Sequence, residues 1–147
     1  MNGESTGWED RAAIVEALDA YAEALDTRRW EVLERIFVPE IEFDFGRGAI
    51  QGRDAVAAMI QGHLGGCGPT QHLLGNYRVR LDGDTATTAV YIRAFHIGIG
   101  ETEGLTYEMF GEYRDQFRRV PEGWRSFRRE GEVFFELGSR DVLRPAS

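Results

Sequence analysis

Apolar side chains open the chain at intervals of three and four. Ile14, Leu18, Tyr21, Ala22 and Leu25 recur at helical spacing, which predicts an amphipathic helix from about Trp8 to Leu25. Thr6-Gly7-Trp8-Glu9 has the spacing of a capping box at its start. Asp26-Thr27 then reads as the cap of a second, short helix carrying Trp30, Leu33, Ile36 and Phe37, with Pro39 as its stop. Ile41 to Phe45 alternates apolar with polar, the mark of a strand with one buried face. Past the turn Gly46-Arg47-Gly48, Asp54 reads as the cap of a third helix through Val56, Met59, Ile60 and Leu64, which the run Gly65 to Pro69 ends.

From Thr70 onward the period is two. His72 and Leu74 share one face, while Tyr77, Val79 and Leu81 continue on the other parity, so a bulge or bend is expected at Gly75-Asn76. Asp82-Gly83-Asp84 is a hairpin turn. Long strands follow from Thr85 to about Ile99, from Leu105 to Arg119 and from Trp124 to about Phe135, and the tail after Leu137 reads as loosely ordered. Helices first and a long antiparallel meander afterwards predict an α+β domain with helices on one face of a curved sheet. Strands of this length curl around the helices and leave a pocket at the open end. The chain, residues 1–147, reads as one domain with its core at about 8–137.

Composition narrows the function. A net charge of −8 argues against nonspecific nucleic-acid binding and against anionic membranes. Every cation among the side chains is Arg, so Schiff-base chemistry is excluded for want of a Lys amine. Cys67 is the one cysteine, which excludes an intrachain disulfide and a Cys-based zinc site. No signal peptide and no apolar run of membrane-spanning length is visible, so a cytoplasmic protein is expected.

Candidate chemistry rests on Asp26, His72 and His96. Imidazole is costly to bury without partners and titrates near neutrality. His72 and His96 lie on predicted strands among apolar neighbours, whereas His63, at a helix end beside glycines, reads as solvated. An Asp26 carboxylate meeting His72 would fix its tautomer and make the other ring nitrogen a better base. Structural readings remain open beside this one: a helix cap for Asp26 and hydrogen-bonded core residues for the two His. Tyr21, Tyr91, Tyr107 and Tyr113 offer hydroxyls, with Tyr113 singled out as inward-pointing, and Asn76 beside the bulge is a further candidate. Arg128 and Arg129 read as a solvated face or ion pairs. Gly46-Arg47-Gly48 lacks the strand–turn–helix context of a nucleotide loop. No metal site is expected, since neither His-x-His nor His-Glu-x-x-His occurs.

Several segments together resemble a known family. Ala24-Leu25-Asp26-Thr27-Arg28-Arg29-Trp30, Phe43-Asp44-Phe45, Gly52-Arg53-Asp54, Thr70-Gln71-His72-Leu73-Leu74-Gly75-Asn76, Asp82-Gly83-Asp84-Thr85-Ala86 and Gly123-Trp124-Arg125 are similar to the SnoaL-like branch of the nuclear transport factor 2-like superfamily, with scytalone dehydratase the nearest by motif. The resemblance implies a cone-shaped, cystatin-like α+β fold, a curved mixed or antiparallel sheet wrapped around N-terminal helices, with a deep apolar pocket and no metal or organic cofactor. It assigns the family's Asp–His pair to Asp26 and His72, and the second dehydratase His to His96. Two carbonyl-holding Tyr of the dehydratase fall on Leu25 and Phe45 here, so the carbonyl-polarising device is either missing or supplied elsewhere, with Tyr113 and Asn76 as the candidates, and Tyr21, Leu25 and Phe45 are expected to line the pocket.

The resulting expectation is a cofactor-independent lyase of dehydratase type acting on a small apolar cyclic, aromatic or polyketide-like substrate. His72 would be the base, Asp26 its orienter and His96 the proton donor to the leaving oxygen. A polyketide cyclase or isomerase with the same pair, and a noncatalytic small-ligand module, are the alternatives. A homodimer or homotrimer is expected, with Tyr91, Phe95 and Ile97 on the outer sheet face.

Overall fold

A computed structural model describes residues 7–147. Helix α1 (Gly7–Thr27) buries Ile14, Leu18, Tyr21 and Leu25 along one stripe, as the spacing dictates. The capping box includes Thr6 and lies outside the described residues. Strands β1 (Phe37–Asp44) and β2 (Ala49–Gln51) precede helix α2 (Arg53–Leu64). Four long strands complete the chain: β3 (Thr70–Asp82), β4 (Thr85–Ile97), β5 (Thr106–Val120) and β6 (Gly123–Gly138).

The six strands form one sheet in the order β2-β1-β6-β5-β4-β3. β1 runs parallel to β6 and every other pairing is antiparallel. The result is the expected α+β class, a mixed sheet with the helices on its concave side. That face carries Val90, Ile92 and Ala94 of β4 and Tyr113 and Phe117 of β5, all buried. No helix covers the outer face among the described residues. There Tyr91 and Ile97 are exposed as expected, Phe95 is half-buried, and Leu73 and Phe135 add further exposed apolar area. Among the described residues no helix is long and apolar enough to cross a membrane.

The structure departs from the sequence reading in several elements. The second helix is a 3-10 turn (Trp30–Arg35), and Phe37 begins β1 instead of ending that helix. Pro39 sits within β1, where the pairing with β6 breaks register between Phe37 and Glu42, so its missing N–H costs no ladder bond. Helix α2 starts after Gly52, whose φ of 97° suits glycine; Asp54 lies in the first turn, where its charge complements the helix dipole, and is not the cap. The tail is packed: a turn at Arg140–Val142 buries Val142 fully, Cys67 Sγ donates to the Val142 carbonyl at 3.0 Å, and Arg144 N–H donates to the His63 carbonyl at 2.9 Å. Burial also pushes the Cys67 thiol up, so it stays protonated and structural. The bulge at Gly75-Asn76 is present as a register shift between Gly75 and Arg78, with Asn76 at φ 51°.

Candidate active site

Asp26 is in the last turn of α1, not past its end. A carboxylate there faces the negative end of the helix dipole and needs donors to hold it. Three are supplied. His72 Nδ1–H donates to Oδ1 at 2.7 Å, the His72 backbone N–H donates to Oδ2 at 2.9 Å, and the Thr70 hydroxyl donates to Oδ1 at 2.9 Å. Burial alone pushes the Asp26 carboxyl up, but the His72 and Thr70 hydrogen bonds outweigh it, and the group titrates below its ordinary range.

Arg28 braces this arrangement. Its backbone is left-handed, at φ 58°, because it closes the helix: Arg28 N–H returns to the Leu25 carbonyl and Arg29 N–H to the Ala24 carbonyl. Its guanidinium donates to the Thr70 hydroxyl, at 2.8 Å, and to the Gly68 carbonyl, at 2.8 Å. The helix end is thereby tied to the start of β3, and Thr70 is oriented as donor to Asp26. Thr70 and Arg28 were not singled out from sequence. Thr70 carries a signal in its strand parity with His72; Arg28 carries none beyond its place in the family-like segment Ala24 to Trp30.

The sheet brings His96 beside this pair. His72 pairs with Ala94 across β3 and β4, and Thr70 pairs with His96, so the two imidazoles are diagonal neighbours on the concave face. Their ring centroids are 5.5 Å apart and nearly perpendicular. His96 Nδ1–H donates to the Tyr107 carbonyl at 3.0 Å, which leaves Nε2 as a lone-pair acceptor. Burial, together with the neighbouring His72 and Arg28, pushes the His96 imidazole down to about 4. His96 is therefore neutral at neutral pH and carries no proton on Nε2.

This shift has a consequence for stability. The unfolded chain takes up a proton on this residue near pH 6.5, and the folded chain refuses it until about pH 4. The contribution is complete above pH 6.5 and is lost as pH falls through that window. Between pH 7 and pH 4.5 it removes about 2–3 kcal/mol. Urea unfolding at the two pH values should show that much less acid loss in His96→Gln than in the wild type.

A cavity of about 280 Å³ opens above the His pair. Tyr21 and Leu25 of α1, Phe43 and Phe45 around β1, and Met59 and Ile60 of α2 form its apolar walls. Of the sequence candidates, Tyr21, Leu25, Phe45, His72 and His96 line it. Tyr113 does not: it lies beneath the wall, its ring edge-on to Tyr21 and Phe45. Asn76 does not either, because the bulge leaves it exposed on β3. Tyr107 takes the lining place expected of Tyr113, and its hydroxyl donates to Glu136 at 2.6 Å. His63 is exposed, as expected, yet also borders the cavity, as do Arg47, Arg140 and Leu143. Among the described residues no three His, Cys, Asp or Glu side chains group as metal ligands.

Phe45 depends on a glycine. A Cβ at Gly131 would come within 2.0 Å of its ring, so the bare backbone of β6 is what lets Phe45 lie down as a cavity wall, stacked on Phe43. Gly131→Ala is expected to displace that ring and to cost about 1–3 kcal/mol by overpacking, read from the urea midpoint.

Comparison with known proteins agrees with this architecture. An uncharacterized protein of Mycobacterium tuberculosis is 35% identical over 122 residues, covering 82% of each chain. A candidate scytalone dehydratase of Novosphingobium aromaticivorans superposes with a TM-score of 0.79 at 22% identity, covering 92% of this chain and 91% of that one. The hexachlorocyclohexane dehydrochlorinase LinA-type3 of Novosphingobium barchaimii superposes with a TM-score of 0.76 at 15% identity, covering 88% and 89%. These two structural likenesses show a shared fold. The SnoaL-like domain model matches residues 7–130, most of the chain and all of its Asp–His geometry, and the protein belongs to the SnoaL-like domain family.

Proposed function

We propose that this protein is a cofactor-independent acid–base enzyme that removes a carbon-bound proton from a small, largely apolar, cyclic or aromatic substrate, most simply as a lyase. The observation that carries this reading is the 2.7 Å bond between Asp26 and His72 on the wall of a mostly apolar cavity. Asp26 holds the proton on Nδ1, so Nε2 of His72 is the free base. A proton next to a carbonyl passes to Nε2, the C–H electron pair becomes the enolate, and Asp26 stabilises the imidazolium. In an elimination the enolate re-forms the carbonyl as the C–O bond breaks, and His72 returns its proton to the departing oxygen, which leaves as water. His96, neutral with a lone pair on Nε2, accepts a hydrogen bond from a substrate or leaving hydroxyl and is not the acid. The names of the two structural neighbours, a dehydratase and a dehydrochlorinase, both denote eliminations and support the reading.

A cyclase or isomerase is the second reading, and the state of His96 favours it. With no proton on its Nε2, His96 does not commit the enolate to oxygen loss. His72 can return the proton to another carbon. Product mass separates the two: loss of water marks the lyase, unchanged mass the cyclase or isomerase.

Proton abstraction is testable before the substrate is known. In D2O the wild type should catalyse exchange at the acidic carbon of 1-tetralone or 2-tetralone, two fused rings bearing a carbonyl, followed by mass spectrometry. Exchange no faster than with His72→Gln would count against the base assignment and in favour of a noncatalytic ligand-binding module.

A further inference from the structure

The cavity has a chemical asymmetry that proton abstraction leaves unused. Among the described residues its lining contains Arg47, His63, His72, His96 and Arg140 and not one Asp or Glu, in a chain whose net charge is −8. His72 and His96 occupy the inner wall. Arg47 comes from the turn after β1 and Arg140 from the turn after β6. Burial and the Glu136 hydrogen bond push the Tyr107 phenol up to about 12, and the charges of Arg140 and Arg47 act in the opposite direction.

The two arginines differ in what they already hold. Arg140 is paired with Glu136 at 3.1 Å and lies over the Tyr107 ring. Arg47 makes no ion pair and no side-chain hydrogen bond among the described residues. It is presented by a tight turn in which Gly46 and Gly48 have φ of 91° and 99°, and Asp44 Oδ1 accepts from the Gly46 N–H at 2.8 Å. A tight turn with its own hydrogen bond thus places a guanidinium with no ion pair among the described residues on the rim of an apolar cavity. With Arg140 neutralised by Glu136, the rim carries one spare positive charge, which matches a monoanion.

We propose that the natural substrate is a carboxylic acid: its apolar ring system fills the cavity and carries the acidic carbon to His72, while its carboxylate is held at the rim by Arg47, with Arg140 beside it. The inference rests on the reading of the cavity as the site of proton abstraction. A planar guanidinium takes a carboxylate through two parallel hydrogen bonds, which fixes the orientation of the ring as well as adding affinity. Arg47 is exposed, so its contribution is held to the low end of charge-assisted bonding, about tenfold in affinity.

The test uses two probes of one shape, 6-carboxy-1-tetralone and its methyl ester, titrated calorimetrically into the wild type, Arg47→Gln and Arg47→Gln/Arg140→Gln. Arg47 makes no ion pair and no side-chain hydrogen bond among the described residues, so its replacement is expected to leave folding intact, which the urea midpoint checks. The wild type is expected to bind the acid about tenfold more tightly than the ester, the preference shrinking as salt is raised. Arg47→Gln should remove the preference, weakening the acid about tenfold and the ester much less. Equal affinity of acid and ester in the wild type, or a preference that survives the double variant, overturns the proposal. Deuterium exchange on the same two probes separates this result from the underlying reading. Exchange without an acid preference keeps proton abstraction and removes the carboxylate site; an Arg47-dependent preference without exchange does the reverse.

Discussion

Asp26→Asn folds, keeps its cavity, and exchanges ketone α-protons about 10²–10⁴-fold more slowly than the wild type, as does His72→Gln. The reason lies in the number of donors around one carboxylate. Oδ1 accepts from His72 Nδ1 and from Thr70, and Oδ2 accepts from the His72 backbone N–H. An Asn side chain has one oxygen for these two places. With its oxygen toward His72 Nδ1, its NH2 meets the backbone N–H of His72, donor against donor. With its oxygen toward the backbone, its NH2 faces Nδ1, the imidazole takes the other tautomer, and Nε2 carries a proton where the base should be. Either orientation also removes the negative charge that stabilises the imidazolium. His72→Gln is the simpler control, since it removes the base outright. Unchanged rates in both variants, with circular dichroism and urea midpoints showing intact folds, would remove the pair from the mechanism.

Why this pair was readable in the sequence, and other parts of the site were not, follows from what local pattern encodes. Asp26 ends an amphipathic period, and His72 shares parity with Leu74, so a helix terminus and an inward strand position are fixed by neighbours a few residues away. Tyr107 and Tyr113 show the limit of such reasoning. Both are odd-numbered, inward positions of β5, with cross-strand partners His96 and Val90. Parity cannot separate them; what does is which end of the strand the helices leave open, and that is set by packing between distant segments. The parallel pairing of β1 with β6 is invisible for the same reason, since it joins segments more than eighty residues apart. The tail misled because Val142 and Leu143 are two apolar residues among polar ones, too few for a period, yet they close against the end of α2. Gly46-Arg47-Gly48 lacks the context of a nucleotide loop, and local pattern gives Arg47 no role of its own. The glycines serve the turn, and the arginine between them faces the cavity.

Arg129 takes the ion-pair alternative of the sequence reading, but buried and not on a solvated face, and its partner Asp115 marks the position with the largest expected effect on stability. Both side chains are fully buried, directly opposite on β5 and β6, with Arg129 Nε donating to both Asp115 oxygens at 2.9 and 3.0 Å. Neither Nη atom finds a hydrogen-bond acceptor among the described residues. Instead the guanidinium lies over the rings of Tyr21, Tyr113 and Phe37, at 4.2, 4.5 and 5.1 Å from their centroids. Aromatic faces offset part of the desolvation of a buried cation, but they do not neutralise it. Asp115→Ala leaves that cation uncompensated and should cost about 3–5 kcal/mol, a large share of the stability of a domain this size. Replacing both partners removes the charge along with its counterion, so Arg129→Met/Asp115→Leu is expected to recover most of the loss, and the shortfall from additivity in urea unfolding measures the coupling. Activity should not recover in parallel. Tyr21 lines the cavity and Tyr113 supports Phe45, and both rings rest on this guanidinium. A double variant that is as stable as the wild type but binds the tetralone probes more weakly would place the function of the buried pair in shaping the cavity wall, whereas equal stability and equal binding would show that apolar packing holds those rings as well as the cation does.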